Sequence, residues 1–156
     1  MKILLAACNA KYIHSNLAVY DLRAYASAYQ EHILLGEYTI NQTKDEILKD
    51  IYLSGADVVC FSCYIWNISF VRDLLEDLHK ILPDVKFWTG GPEVSFDAEA
   101  FLRRTPQVTG VMVGEGEKTF LELVRYYVDG VGSLSEISGI AYRDGEEIHH
   151  NGWRDL

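Results

Sequence analysis

The chain has 156 residues and a mass of 17.7 kDa, the size of one domain with a single core. Its 49% apolar and 24% charged residues exclude collagen-like, disordered and coiled-coil classes, and no apolar run reaches the roughly 18–20 residues of a membrane span. The net charge of −9 divides into −4 over residues 1–78 and −5 over 79–156, leaving no basic face for nucleic acid and no polybasic membrane anchor.

The opening Met1–Ala6 is apolar too briefly for a signal peptide. Three cysteines cannot build a full disulfide framework, so the expectation is a soluble protein of the reducing cytoplasm.

Lys2–Ala7 reads as a buried strand. Ser15–Tyr29 carries Leu17, Tyr20, Ala24 and Ala28 at helical spacing, with Ser15 or Asn16 as cap. His32–Ile40 is a more mixed strand, as an edge position would be. Thr43 and Glu46 form a capping box ahead of Ile47, Leu48 and Ile51. Asp57–Ser62 is apolar almost throughout, the pattern of a strand buried on both faces. Asn67–Leu82 sets Ile68, Val71, Leu74, Leu75, Leu78 and Leu82 on one helical face, and Pro83 stops it. A strand at Lys86–Thr89, a short helix near Asp97–Arg104, a strand at Gly110–Val113 and a helix at Glu117–Val128 follow.

Strict alternation of strand and helix implies parallel strands joined by right-handed crossovers. The expected fold class is α/β: a doubly wound, flavodoxin-like (Rossmann-like) parallel sheet of five strands with helices on both faces. Residues 1–130 form that domain. Residues 131–156 form a loop and a C-terminal β-hairpin outside the main pattern, with a type I′ turn at Asp144-Gly145.

Ligands of such sheets bind beyond the carboxyl ends of the strands. The segments to read are therefore Cys8–Asn16, Ser62–Asn67, Gly90–Ser95 and Gly114–Glu117. Gly90-Gly91 and Gly114-x-Gly116 suit either a close approach of backbone to a ligand or tight turns into the next helix. Glu93, Glu115 and Glu117 could act as acid/base carboxylates or simply favour helix N-termini. No receiver-type acidic cluster, flavodoxin phosphate loop, Walker motif or G-x-G-x-x-G is present. Cys60 and Cys63 stand three apart across a strand end, on opposite faces, which suits a core Cys60 and a small residue at the strand end for Cys63 rather than a redox or zinc site.

Taken together, "GGPEVS" (Gly90–Ser95), "GEGE" (Gly114–Glu117), the hairpin "SGIAYRDGEEIHHNG" (Ser138–Gly152) and the opening "NAKYIHSNLA" (Asn9–Ala18) resemble the N-terminal cobalamin-binding domain of cobalamin-dependent radical S-adenosylmethionine enzymes. Some members of that family are methyltransferases and others are oxidative cyclase-like. The resemblance implies that cobalamin is held with its benzimidazole tail threaded between sheet and helices. It implies a cofactor-binding set of Lys11, Tyr12, His14, Ser62, Tyr64, Gly90, Gly91, Pro92, Glu93, Val113, Gly114, Glu115 and Gly116, with no catalytic residue and no protein metal ligand. The D-x-H-x-x-G pattern of mutases is broken by Tyr12 and Leu17 around His14, so a lower cobalt face without a protein ligand is expected. The C-x-x-x-C-x-x-C of a radical domain is absent. Its four-iron four-sulfur cluster and S-adenosylmethionine are therefore expected in a C-terminal radical domain of the whole protein, the partner of this module. A flavodoxin-like domain binding another small ligand or a protein is the second reading.

Overall fold

The computed structural model describes residues 1–9 and 17–155. Five parallel strands alternate with helices: β1 (Ile3–Asn9), α1 (Leu17–Tyr25), β2 (Ile33–Thr39), α2 (Lys44–Ser54), β3 (Val58–Ser62), α3 (Ile68–Ile81) and β4 (Lys86–Gly90). A short turn of helix α4 (Pro92–Ser95), then α5 (Ala98–Arg104), β5 (Val108–Met112) and α6 (Glu117–Asp129) complete the alternation. Two antiparallel strands follow, β6 (Ile140–Asp144) and β7 (Glu147–His150).

All seven strands belong to one sheet in the order β2-β1-β3-β4-β5-β6-β7. The expected parallel core of five is present, but the hairpin does not stand apart. It extends the sheet to seven strands, because β6 pairs antiparallel with β5 through Gly110–Tyr142, Val111–Ala141 and Met112–Ile140. Arg143 then donates to the carbonyls of Leu102, Thr105 and Val108, fixing the hairpin to the end of α5. The turn also differs from expectation. Gly145 has φ +61° while no non-glycine residue described has positive φ, which is the type II′ pattern rather than type I′.

Strand alternation sends residues to two cores. On one face Leu4, Val59, Phe61, Phe87 and Val111 meet α2, α3 and α5 through Ile47, Leu74, Leu75 and Phe101. On the other, Ile3, Leu5, Cys60, Trp88 and Met112 meet α1 and α6 through Val19, Phe120 and Leu123. Covering both faces removes the water that would compete for the ladder, which is why the central strands are apolar runs.

Local signals act as read. The Thr43 hydroxyl accepts from the Glu46 N–H at 3.2 Å and caps α2. The apolar stripe Val71, Leu74, Leu75 and Leu78 of α3 is buried. The first helix is shorter than its periodicity suggested: α1 ends at Tyr25 and Ser27–His32 winds as 3₁₀ turns. Its proposed caps Ser15 and Asn16 lie outside the described residues.

Candidate functional site

Strand order reverses between β1 and β3, the topological switch point of this sheet. A buried asparagine locks it. Asn67 Nδ2 donates to the carbonyls of Cys8 and Ser62, both at 3.0 Å, and its Oδ1 accepts from the Tyr64 N–H at 2.7 Å. One side chain thus joins the ends of β1 and β3 to the loop entering α3. Asn67→Leu keeps similar bulk and leaves those backbone groups without these partners. A loss of roughly 2–4 kcal/mol in stability is expected, measured by thermal melting; a shift of a degree or two would contradict the clamp.

The ends of β3 and β4 are joined by backbone. Cys63 N–H donates to the Gly90 carbonyl at 2.7 Å, and Glu93 N–H donates to the Cys63 carbonyl at 3.4 Å. Gly91 crosses Cys63 with φ +104°, and a Cβ built there would stand 2.5 Å from the Cys63 carbonyl oxygen. Ser95 ties in the next strand, its hydroxyl donating to the Gly91 carbonyl at 2.8 Å and accepting from the Gly114 N–H at 3.2 Å.

Below these ends lies a cleft of about 210 Å³ between the sheet and α1. Its described lining includes Leu5, Cys60 and Met112 from the strands, and Val19 and Leu22 from α1. Gly114, Glu115 and Glu117 also line a neighbouring space of about 780 Å³, bordered by Tyr25, Trp153 and Arg154. Arg154 is held there by Glu122, with Nη2 and Oε2 2.6 Å apart, and by the Thr119 hydroxyl and the Ser138 carbonyl.

Of the residues expected to bind a cofactor, Ser62, Tyr64, Gly90, Gly91, Gly114, Glu115 and Gly116 meet at the cleft. Tyr64 also stacks on Trp66, with ring centroids 4.4 Å apart. Val113 borders only the larger space. Pro92 and Glu93 begin α4 as exposed residues and are not among the described lining of either cavity. Lys11, Tyr12 and His14 lie outside the described residues.

The glycines divide by conformation. Gly91 and Gly114, at φ +104° and +72°, have backbones that favour glycine with or without a ligand. Gly90 and Gly116 do not have positive φ. A Cβ on Gly90 would meet Met112 at ordinary contact distances of 3.6–3.8 Å, and one on Gly116 would approach only the Leu22 side chain, at 3.3 Å.

Burial pushes the Cys8 and Cys60 thiols up to about 12 and raises Cys63 as well, so all three stay protonated at neutral pH. Cys60 and Cys63 face opposite sides of the sheet, Cys60 in the core as read, and Cys63 is buried in the other core as well as closing the strand end. Among the described residues no group of three or more His, Cys, Asp or Glu side chains could hold a metal. No described helix is long and apolar enough to cross a membrane.

Reading only the segments after each strand missed Leu5, Val19, Leu22, Cys60 and Met112, which lie within strands or on α1. Asn67 and Ser95 stand in the segments read, but their roles depend on bonds between elements. An asparagine just ahead of an apolar helical stripe was the available signal for Asn67.

Several known proteins are similar to this chain. The chain is 30% identical over 91 residues to the cobalamin-dependent radical SAM methyltransferase TokK of Streptomyces tokunonensis, covering 58% of this chain and 13% of that protein. It is 31% identical over 95 residues to the 2-(S-pantetheinyl)-carbapenam-3-carboxylate methyltransferase of Streptantibioticus cattleyicolor, covering 61% and 14%. The chain therefore spans well under a fifth of the length of either relative. The cobalamin-dependent S-adenosylmethionine radical enzyme OxsB, solved with aqua-cobalamin bound, superposes with a TM-score of 0.78 at 21% identity over 99% of this chain and 22% of its own. A cobalamin-binding protein of Desulfitobacterium hafniense gives 0.59 at 17% identity, over 84% of this chain and 59% of its own. Both share the fold. The B12 binding domain model matches residues 3–124, and the chain belongs to that family.

Proposed function

We propose that this chain is the cobalamin-holding module of a radical S-adenosylmethionine enzyme, and that it takes the cofactor's nucleotide tail into the cleft beneath the strand ends. The observation that carries the reading is the cleft itself. It lies at the carboxyl ends of parallel strands beside the switch point, where such sheets bind ligands, and it has an apolar interior under a glycine-rich rim.

The residues present fit the group. Gly90 lines the cleft and lacks a Cβ although its backbone would tolerate one, so the missing side chain leaves room for a ligand. The cleft borders a larger space of about 780 Å³, within the range of small-molecule sites at roughly 300–1,000 Å³. Ser62 and the backbone of Gly114–Gly116 would meet the sugar-phosphate part of the tail, and Leu5, Val19, Cys60 and Met112 its base. Asn67 and Ser95 hold the loops to which these residues belong.

Bound cobalamin supplies cobalt-centred methyl transfer or electron transfer; the protein's part is to seat and orient it. The matched relatives named above are methyltransferases, and methyl transfer is accordingly the proposed class of reaction for the whole protein. The four-iron four-sulfur cluster and S-adenosylmethionine would belong to a radical domain following residues 131–156.

Gel filtration after incubation with hydroxocobalamin tests the reading. Corrin absorbance should elute with the protein in near-equal molar amount. Complete separation of cofactor from protein at high micromolar excess would overturn it.

A further inference from the structure

Burial sorts the lining of the cleft into two parts. Leu5, Val19, Cys60, Phe61 and Met112 are buried and Leu22 is half-buried, whereas Ser62, Tyr64, Glu115 and Glu117 are half-buried or exposed and stand at the strand ends. The deep part thus contains no side-chain oxygen or nitrogen among the described residues, and its one thiol stays neutral. Its strand backbone is already engaged, since Leu5 pairs with Cys60, Cys60 with Trp88, and Met112 with Gly90. A polar atom carried to the bottom would leave water and find no partner among the described residues.

We propose that the cleft selects among cobamides by the polarity of their lower base, accepting an apolar benzimidazole and disfavouring one with a hydroxyl on the edge remote from the ribose. The proposal rests on the reading of the cleft as the tail site. A base tethered through its ribose at the polar mouth puts its far edge deepest, so that edge meets Leu5, Cys60 and Met112. The cost of burying an unpartnered hydroxyl there sets the preference. Leu22 is placed to alter it. It is half-buried on α1, lines the cleft, and has its Cδ2 3.3 Å from where a Cβ on Gly116 would lie. Leu22→Gln brings in an amide that can donate and accept without disturbing a strand.

Three ligands separate the possibilities when titrated into the purified chain: the cobamide with 5-methylbenzimidazole as lower base, its counterpart with 5-hydroxybenzimidazole, and cobinamide, which lacks the nucleotide tail. The two bases differ only by a methyl or a hydroxyl on the edge remote from the ribose, so the difference between them reports the surroundings of that edge. The methyl cobamide should bind about tenfold or more tighter than the hydroxyl one, within the range expected when an apolar pocket meets a hydroxyl in place of a methyl. Cobinamide should bind weakest, and Leu22→Gln, checked for folding by its melting curve, should narrow the gap between the two tailed ligands.

Equal affinity for the tailed ligands with weak cobinamide binding would overturn the selectivity and leave the cofactor reading intact. Cobinamide binding as tightly as the methyl cobamide would overturn the selectivity together with the placement of the tail. Failure of all three to bind would overturn the cobalamin reading itself.

Discussion

Gly91→Ala is expected to damage the ligand-free fold more than any other single-methyl change at the strand ends. The backbone stands at φ +104°, and the added Cβ would lie 2.5 Å from the Cys63 carbonyl oxygen and 3.1 Å from its nitrogen. Neither atom can move freely, because Cys63 N–H is bonded to Gly90 and its carbonyl to Glu93. Strained backbone costs about 1–3 kcal/mol and a displaced neighbour about 1–3 more. The sum is a large part of a typical net stability of roughly 5–15 kcal/mol. For a chain of this length the melting temperature should fall on the order of 10 °C. A fall of only a degree or two would show that the β3 and β4 ends are not held as described.

The neighbouring glycine should behave in the opposite way. Gly90 has no positive φ, and the nearest atoms to a Cβ there belong to Met112, at 3.6–3.8 Å. Met112 lines the cleft with it, so the side chain of Gly90→Leu would extend into the space assigned to the cofactor tail. The ligand-free melting temperature should change by a few degrees at most. Cobalamin affinity should fall about a hundredfold, or roughly 2.8 kcal/mol. Titration beside a melting curve checks both at once, and unchanged affinity in a folded Gly90→Leu protein would remove the cleft from the site.

Much of the fold was legible because it is written locally. Runs such as Asp57–Ser62 and the stripe on α3 announce buried strand and amphipathic helix, and the bond from Glu46 to Thr43 was visible as a four-residue motif. The hairpin's attachment was not, because its pairing with β5 and the reach of Arg143 to three carbonyls join residues about 30 to 40 positions apart. The turn type is not legible locally, because Asp144-Gly145 looks in sequence like a turn centre, whereas the strands pair out to Asp144–Glu147 and put Gly145-Glu146 there.

The site was legible at its rim and hidden in its depth. Glycines at strand ends were found by inspection, but sequence could not separate Gly91 and Gly114, which the backbone favours, from Gly90 and Gly116, which it does not. The apolar walls were hidden because Leu5 and Met112 look in sequence like any core residue. Only the way α1 packs over the sheet leaves a cleft beside them.

The visible spectrum of methylcobalamin bound to the chain tests the central claim most directly. A benzimidazole seated in the cleft beneath the strand ends cannot also remain bonded to cobalt, since the tail must extend to reach it. The account predicts that cobalamin eluting with the protein shows the spectrum of the base-off form. Co-eluting cobalamin that keeps the base-on spectrum would contradict it.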